Sequence, residues 1–217
     1  MKQRDVFLES EGDAWFERNV GGGAQRNVGE SDPLIGEVLG LSSVLALDSA
    51  RILEIGCGDG VRLAWLQQNR GCHCCGLDPS MQAIEAANAR GVAAQRGTAE
   101  RLPFADEAFD VVMFGFCLYL CDREDLFRIA QEADRVLKNP GWMLIHDFHS
   151  PVPSRRAYHH RAGLYSHKMD YRTLFTWHPA YTSYSHKLRH HSAGGYTDDP
   201  DEWVATSVLR KNLARSE

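Results

Sequence analysis

The sequence predicts an α/β domain with a mostly parallel sheet. Four short apolar runs, each typical of a buried strand, are separated by segments long enough for a helix. Strands that alternate with helices form βαβ units, which give a parallel sheet with right-handed crossovers. The chain of 217 residues fits one such domain, and its 43% of hydrophobic residues is ordinary for a globular protein.

The predicted strands and helices follow one another in order along the middle of the chain. The strands are Arg51–Ile55, His73–Leu77, Phe109–Phe116 and Trp142–His146, with a weaker strand at Val92–Arg96. The helices between them are Val61–Asn69, Pro79–Arg90 and Arg123–Leu137. Continuous apolar runs such as 111–114 are typical of central strands that are buried on both faces.

Two further helices are predicted before the first strand. Residues 1–20 form an amphipathic helix with apolar anchors at Phe7, Leu8, Trp15 and Phe16, and Gly21-Gly22-Gly23 ends it. We interpret this helix as a cap over a ligand site. The second begins at Ser31-Asp32-Pro33, because Ser and Asp cap helices and proline fits the first turn.

Beyond Pro151-Val152-Pro153 the pattern changes to aromatic and β-branched residues with turn signals. Two strands are predicted here, at Tyr181–His190 and Glu202–Leu209, and Gly194-Gly195 and Asp198-Asp199-Pro200 provide turns between them. We therefore expect one domain with a helical cap (1–45), a core (46–148), an insertion (149–180) and C-terminal strands (181–217).

The strongest local signal is a strand that enters a glycine-rich turn and then a helix, at Ile52–Gly60. Glycines let a turn bend sharply and approach a ligand closely. The helix that follows points its free N–H groups and the positive end of its dipole toward that ligand. The fingerprint of a dinucleotide-binding site is G-x-G-x-x-G/A. When it is counted from Gly56, it requires Gly or Ala at the position of Val61, so the sequence does not predict a dinucleotide-binding site.

Instead, the glycines fall at alternate positions behind an acidic residue, in the order Glu54, Gly56, Gly58 and Gly60. This pattern resembles the first motif of class I S-adenosylmethionine-dependent methyltransferases, E/D-x-G-x-G-x-G. Four later segments resemble further motifs of that family in the expected order. They are Gly76–Met81, Gly97–Phe104, Phe109–Val112 and Glu132–Trp142.

The resemblance covers roughly residues 50–148, and it implies a fold. The expected fold is a Rossmann-like α/β domain with a seven-stranded, mostly parallel sheet and helices on both faces. An N-terminal helical cap and an insertion before the last two strands complete it. Ligands of such open sheets bind at the carboxyl ends of the strands.

The resemblance also implies S-adenosylmethionine as cofactor and S-adenosylhomocysteine as its product. Glu54 would seat the methionine part, and Asp78 would accept hydrogen bonds from both ribose hydroxyls. Thr98 stands where the family usually has the aspartate that contacts adenine, so the acceptor there is weaker. The cofactor-binding candidates are Glu54, Gly56, Cys57, Gly58, Gly60, Asp78, Pro79, Met81, Thr98, Ala99, Glu100, Gly115 and Phe116.

Methyl transfer from a sulfonium is an in-line displacement, so orienting the acceptor supplies much of the catalysis. If the acceptor is a hydroxyl, a thiol or an ammonium group, a base is needed. Candidates lie at strand ends: Tyr119 and His146 first, then Asp147 and His149. The structural alternative is that Tyr119 is a packed aromatic residue and His146 a hydrogen-bonded core histidine.

The segment from Ser150 to His191 is basic, with seven Lys or Arg against one acid, although the whole chain has a net charge of −5. Two interpretations stay open. The segment forms a pocket roof that selects an anionic acceptor, or it is a solvated face that balances the acidic remainder. The roof hypothesis places Arg155, Arg156, Tyr158, His159, Arg161 and Tyr171 nearest to the acceptor.

No metal site is expected from the sequence. The cluster Cys72-His73-Cys74-Cys75 lacks a second ligand pair at finger-like spacing. Adjacent histidines, as in His159-His160 and His190-His191, point to opposite faces of a strand and rarely bind one ion. The six cysteines lie in apolar segments and the N-terminus has no secretory pattern, so we expect reduced thiols and a cytoplasmic location.

The expected function is methyl transfer to a small metabolite, with an anionic one favoured under the roof hypothesis. Two alternatives stay open: methylation of RNA such as tRNA, whose phosphates the basic segment could contact, and a non-catalytic cofactor-binding protein. The negative net charge argues against nucleic acid as a partner. No apolar run is long enough to cross a membrane, and both a monomer and a homodimer fit the sequence.

Overall fold

The computed structural model describes residues 2–20, 28–192 and 195–212. The predicted helix-ending glycines 21–23 and the predicted turn residue Gly194 lie outside this part of the chain. Nine strands are described, and seven of them form one sheet in the order β3-β2-β1-β4-β5-β9-β8.

The predicted strands and helices of the sheet lie close to their predicted bounds, except that β5 begins five residues earlier, and β6, β7 and α7 were not predicted. The strands are β1 (Arg51–Ile55), β2 (His73–Asp78), β3 (Ala93–Arg96), β4 (Phe109–Gly115), β5 (Leu137–Phe148), β6 (Ser154–Ala157), β7 (Tyr165–Lys168), β8 (Tyr181–His190) and β9 (Trp203–Lys211). The helices are α1 (Gln3–Val6), α2 (Gly12–Asn19), α3 (Pro33–Gly40), α4 (Val61–Arg70), α5 (Met81–Ala89), α6 (Leu126–Val136) and α7 (Thr173–Thr176).

The sheet confirms the prediction of a mostly parallel, seven-stranded arrangement. Strands β1 to β5 pair in parallel, and β9 is antiparallel to both β5 and β8. The order reverses between β1 and β4, because β2 and β3 lie on one side of β1 and β4 on the other. This reversal opens a crevice at the carboxyl ends of the strands, where ligands of such sheets bind.

Helices cover both faces of the sheet, as predicted, and the central strand β4 shows why. Val112 and Phe114 pack with the buried residues of α6 and α7, whereas Val111 and Met113 pack with those of α3, α4 and α5. All four side chains are fully buried. Because successive strand residues point to opposite faces, a continuous apolar run is needed to fill both halves of the core.

The N-terminal helix is confirmed, with one irregular turn. A π-helical turn, Phe7–Glu11, joins α1 to α2. The Asp122 carboxylate accepts hydrogen bonds from the backbone N–H groups of Gln3 and Arg4, each at 3.1 Å. It thereby satisfies donors that the first turn of a helix leaves free. The cap is thus anchored to the segment before α6.

The insertion has its own secondary structure, which the sequence did not predict. Strands β6 and β7 form a separate two-stranded antiparallel sheet, and the short α7 follows. The hairpin packs on the cap, where Tyr158 and Leu164 join Val6 and Phe7 in a small buried cluster. The insertion therefore stands beside the cap and ahead of the last two strands of the main sheet.

Helix α3 begins as the sequence predicts. Asp32 is its N-cap, and one carboxylate oxygen accepts from Leu34 N at 3.0 Å and Ile35 N at 3.1 Å. Pro33 occupies the first turn. In the part of the chain that the structure describes, no helix combines the length and the hydropathy needed to cross a membrane.

We expect Asp32→Ala to lower the free energy of unfolding by about 1 kcal/mol more than Asp32→Asn does, because asparagine caps helices as well as aspartate and alanine cannot. Both variants lose the carboxylate that pairs with Arg62, so their difference isolates the cap. Urea unfolding followed by circular dichroism measures it. Equal losses in the two variants would show that the cap contributes nothing.

Candidate cofactor site

An open cavity lies at the carboxyl ends of β1, β2, β3 and β4. Its empty space is about 1160 Å³, which includes space open to solvent. Ten of the thirteen predicted cofactor-binding residues line it. They are Gly56, Cys57, Gly58, Asp78, Pro79, Thr98, Ala99, Glu100, Gly115 and Phe116. The chain thus brings four separate motifs to one edge of the sheet.

The turn after β1 forms the floor of the cavity. Backbone N–H groups of Gly56 and Cys57 donate to the carbonyl oxygen of Leu77, at 2.8 and 3.1 Å. Gly56 and Gly58 have φ angles of 75° and 54°, in the left-handed region. A Cβ at Gly56 would lie 2.5 Å from the Cβ of Cys117, whereas one at Gly58 would meet no atom within 4 Å.

Asp78, at the end of β2, is held by backbone donors from two directions. Gly58 N donates to one carboxylate oxygen at 2.9 Å, and Ser80 N donates to the other at 3.0 Å. Each oxygen keeps a second lone pair for another donor. Burial raises the pKa of this carboxyl group to about 6, against the lowering effect of the backbone donors.

A cluster of three charged side chains lies beneath one wall of the cavity. Glu54 is fully buried and forms a close ion pair with Arg62, whose Nε also contacts Asp32 at 3.0 Å. Arg62 lines the cavity, whereas the predicted contact Glu54 does not. Burial alone would lower the pKa of Arg62, but the two carboxylates outweigh it and raise that pKa.

Gly115 allows this charge cluster to pack against β4. A Cβ there would lie 2.5 Å from a Glu54 carboxylate oxygen and 2.7 Å from a guanidinium nitrogen of Arg62. The sequence analysis missed Arg62 as a site residue. Its position in the first turn of α4, directly after the glycine turn, was the available signal, because that turn must face the same edge.

Thr98 and Glu100 stand side by side after β3. The Thr98 hydroxyl donates to a Glu100 carboxylate oxygen at 2.5 Å. A hydroxyl that donates its hydrogen keeps two lone pairs for an incoming donor. Arg4 lies 3.5 Å from the same carboxylate, so the cap reaches this part of the cavity. Thr98 is therefore oriented as an acceptor.

The cap forms the remaining wall. Arg4, Phe7, Gly12 and Trp15 line the cavity together with the glycine turn. Asp13 fastens the cap to the start of α5, since it accepts from the Ser80 hydroxyl at 2.6 Å and from Gln82 N at 3.1 Å. Sequence patterning predicted a cap but did not identify which of its residues face the ligand.

Aromatic side chains surround Phe116, which directly follows the carboxyl end of β4. Phe116 has a φ of 57°, rare for a residue with a side chain. Its ring meets those of His146, Phe148, His191 and Tyr119 at centroid distances of 4.7, 5.3, 5.6 and 6.5 Å. Strained backbone of this kind clusters at ligand sites. This aromatic cluster adjoins the cofactor cavity, since Phe116 belongs to both.

The two predicted catalytic residues lie in this aromatic cluster, and neither is among the cavity-lining residues. The Tyr119 hydroxyl accepts from Trp15 Nε1 at 3.3 Å, and burial raises its pKa. His146 Nδ1 lies 2.8 Å from Thr206 Oγ1, and burial, aided by the charge of Arg62, lowers its pKa to about 4. The imidazole of His146 is thus neutral near pH 7.

The other two base candidates have different surroundings. Asp147 accepts backbone hydrogen bonds from Leu118 and Phe148, both at 2.8 Å, so it supports the turn after β4. Burial raises the pKa of its carboxyl group to about 7. His149 points away from this turn, toward His186, with the ring centroids 5.3 Å apart.

Three predicted cofactor residues do not line the cavity. Besides Glu54, these are Gly60, which precedes α4 with a φ of 67°, and Met81, which is 41% exposed at the start of α5. Pro79 lines the cavity, and its carbonyl oxygen accepts from Arg96 at 2.9 Å. The cofactor-binding role of all thirteen residues, whether or not they line the cavity, stays a prediction.

The basic residues of the insertion engage other side chains outside the cavity lining. Arg155 lies over the ring of Tyr165, Arg156 pairs with Asp201, and Arg161 donates to Ser10. Tyr158 accepts from Arg18, the Tyr171 hydroxyl donates to the carbonyl of His167, and His159 is exposed beside His160. Their role toward an acceptor stays a prediction.

Comparison with known families, like the sequence motifs, indicates a methyltransferase domain. Residues 53–145 match the family model described as a methyltransferase domain. An uncharacterized methyltransferase, YcgJ of Bacillus subtilis, is 35% identical over 127 residues, which is 54% of this chain and 48% of that protein. A demethylmenaquinone methyltransferase of Mycobacterium marinum is 31% identical over 102 residues, 47% of this chain and 43% of that protein.

Solved structures share the fold across nearly the whole chain. A 1,6-didemethyltoxoflavin-N1-methyltransferase of Burkholderia thailandensis, with bound S-adenosylhomocysteine, superposes with a TM-score of 0.68 at 16% identity. The match covers 97% of this chain and 87% of that one. By sequence, this chain spans about half or less of the curated relatives named above.

The fold, the glycine turn and the ordered motifs define a methyltransferase domain with a cofactor cavity. Residues 53–145 match the methyltransferase-domain family, and the chain shares its fold with S-adenosylmethionine-dependent methyltransferases. The cavity fits that cofactor, because the left-handed turn at Gly58 leaves open space and Asp78 has spare acceptor capacity.

We expect Gly56→Ala to lower the free energy of unfolding by about 1–3 kcal/mol more than Gly58→Ala. Both variants carry the cost of a left-handed residue, but only the first forces a methyl group against the Cys117 side chain. Urea unfolding of the two variants measures the difference. Equal destabilisation would contradict the close contact between the turn and Cys117.

Proposed function

We propose that this protein transfers a methyl group from S-adenosylmethionine to a small molecule held under the N-terminal cap. The observation that carries the proposal is the single cavity that the glycine turn, Asp78 and the cap residue Trp15 line together. The cofactor supplies an electrophilic methyl group on a sulfonium sulfur. An acceptor must enter the space between the cap and the carboxyl ends of the strands, and this favours a small one.

Each part of the cofactor has a matching surface. Asp78 accepts from the ribose hydroxyls, Thr98 accepts from the adenine amino group, and Arg62 binds the methionine carboxylate. Arg62 is suited to this because a guanidinium forms paired hydrogen bonds with a carboxylate. Its partners, the buried Glu54 and the partly buried Asp32, fix its orientation before the ligand arrives.

The acceptor lies against Phe116 and the adjoining aromatic cluster, beside the cap residue Trp15. These rings offer an apolar surface with few charges, which suits an acceptor with a planar or apolar body. The chain's contribution to the reaction is then to orient the acceptor and to exclude water. Tyr119 and His146 help to position the acceptor through this surface.

Methylation of RNA is less well supported. Phosphate recognition needs basic side chains that are free to meet the backbone of a nucleic acid. Several residues of the basic segment 150–191 are already paired, as in Arg156 with Asp201, Arg172 with Asp170 and Lys187 with Glu37. We also infer a cytoplasmic location, which fits the six free cysteines.

The function predicts binding of both the methyl donor and its product, S-adenosylhomocysteine, in calorimetry. We expect Asp78→Asn to weaken product binding by about tenfold or more, since a hydrogen bond to a charged group contributes roughly 1.5–3 kcal/mol. Asp48→Asn is the matched control, because Asp48 is exposed and does not line the cavity. No heat with either ligand would refute the proposed function.

The same assignment predicts a pH dependence. Asp78 accepts from both hydroxyls when ionised, so product affinity should fall as the pH drops through its pKa of about 6. The affinity of Asp78→Asn should lack this fall, because the amide does not titrate. If product affinity falls equally with pH in the wild type and the variant, Asp78 does not have this role, but the proposed methyltransferase function still stands.

The role of Arg62 is tested with two ligands. We expect Arg62→Lys to weaken S-adenosylhomocysteine binding by about tenfold, because lysine cannot form the paired hydrogen bonds. The variant should leave the affinity for 5′-methylthioadenosine nearly unchanged, since that nucleoside lacks the amino-acid end. If both affinities fall equally, Arg62 acts on the shape of the site and does not bind the carboxylate.

A further inference from the structure

Three potential metal ligands meet where the insertion packs against the main sheet. His149 directly follows β5, His186 lies in β8, and Asp170 stands between β7 and α7. One potential ligand atom of each residue lies within 4.8 Å of those of the other two. The three come from segments far apart in sequence, so the fold itself assembles this His-Asp-His cluster.

His149 is the residue that points most directly to a ligand. It is only 8% exposed, and its buried Nδ1 has no hydrogen-bond partner among the residues that the structure describes. A buried ring nitrogen without a partner is costly, so such groups are rare and call for an explanation. Its ring faces that of His186 across 5.3 Å.

His186 is already oriented for the same purpose. Its Nδ1 lies 2.8 Å from the hydroxyl oxygen of Ser207, a buried residue of β9. When Nδ1–H donates to this hydroxyl, the Nε2 lone pair is left for another partner. Metal-binding histidines typically have their second ring nitrogen fixed by a hydrogen bond of this kind.

Asp170 is ionised and firmly held. Burial raises the pKa of its carboxyl group, but the hydrogen bonds and the charge of Arg172 outweigh burial and lower that pKa. The Arg172 Nη2 lies 2.8 Å from one carboxylate oxygen, and its backbone N lies 3.1 Å from the other. The first of these oxygens also accepts from Arg172 Nε at 3.3 Å, so the second oxygen is the one that keeps a lone pair for a metal ion. The positive charge of Arg172 disfavours a bound cation, and the negative charge of the Asp170 carboxylate compensates for it.

We propose that His149, Asp170 and His186 bind a divalent transition-metal ion such as Zn²⁺. Two imidazoles and one carboxylate are a ligand set that such ions accept, and three protein ligands leave a fourth position for water. The ligand atoms must close to about 3.4 Å apart, the spacing in a tetrahedral shell with bonds of about 2.0–2.1 Å. The bound ion ties the insertion to β5 and β8.

This site differs from the candidate metal sites that the sequence analysis rejected. Those rested on adjacent histidines and on Cys72–Cys75, whereas this site draws on three separated segments. It also lies apart from the cofactor cavity, because none of its three ligands lines that cavity.

The test is a metal titration of the full chain after treatment with a chelator. Zn²⁺ is followed by calorimetry, and Co²⁺ by the visible absorption bands of a low-coordinate Co²⁺ site. We expect one ion per chain, with affinity lowered about tenfold or more in His149→Gln and in His186→Gln. His160→Ala is the matched control, because it removes an exposed histidine of the same insertion, and it should bind as the wild type does.

Circular dichroism of the chelated proteins checks that each variant is folded. Where His149→Gln fails to fold, Asp170→Asn replaces it, since the amide keeps the shape of the carboxylate. Zn²⁺ should raise the unfolding temperature of the wild type and not that of the ligand variants. Absence of stoichiometric binding in the wild type, or unchanged affinity in the ligand variants, would overturn the metal site and leave cofactor binding unaffected.

Discussion

The carboxylate of Asp78, held by two backbone donors, is the constraint on which the cavity depends. It joins the turn after β1 to the start of α5, because Gly58 N and Ser80 N donate to its two oxygens. The same turn is fixed a second time where Gly56 N and Cys57 N share the carbonyl oxygen of Leu77. These hydrogen bonds within the protein fix the floor of the cavity without a ligand. The turn therefore needs no rearrangement when a ligand binds.

The cap extends this arrangement to the opposite wall. Its own helix start is satisfied by Asp122, and its Asp13 satisfies the start of α5. Carboxylates placed at helix N-termini are favourable because the free N–H groups and the helix dipole attract them. The cap is thus fastened at both ends of the cavity, by polar contacts near its rim.

The sequence predicted those parts of the site that local motifs determine. The glycine turn at Gly56–Gly58 was predicted from its spacing, and Asp78 from the resemblance of Gly76–Met81 to a family motif, since turns and strand ends are local features of the sequence. Arg62 was missed because its position depends on Glu54 and Asp32, which come from two other segments. The β6–β7 hairpin was missed because its charged residues show no alternation of apolar and polar positions.

The cavity has a charged region, which we assign to the cofactor, and an uncharged aromatic region, which we assign to the acceptor. In the proposed binding mode, Arg62 contacts the methionine carboxylate and Asp78 the ribose, whereas Phe116 and its aromatic neighbours contact the acceptor. In that second region His146 stays neutral, and burial raises the pKa of Tyr119, so both prefer their uncharged forms near pH 7. An uncharged surface suits a displacement in which positive charge spreads from sulfur to the acceptor, because it neither solvates nor pins that charge. Under the proposed function, orientation of the acceptor by the rings provides much of the rate.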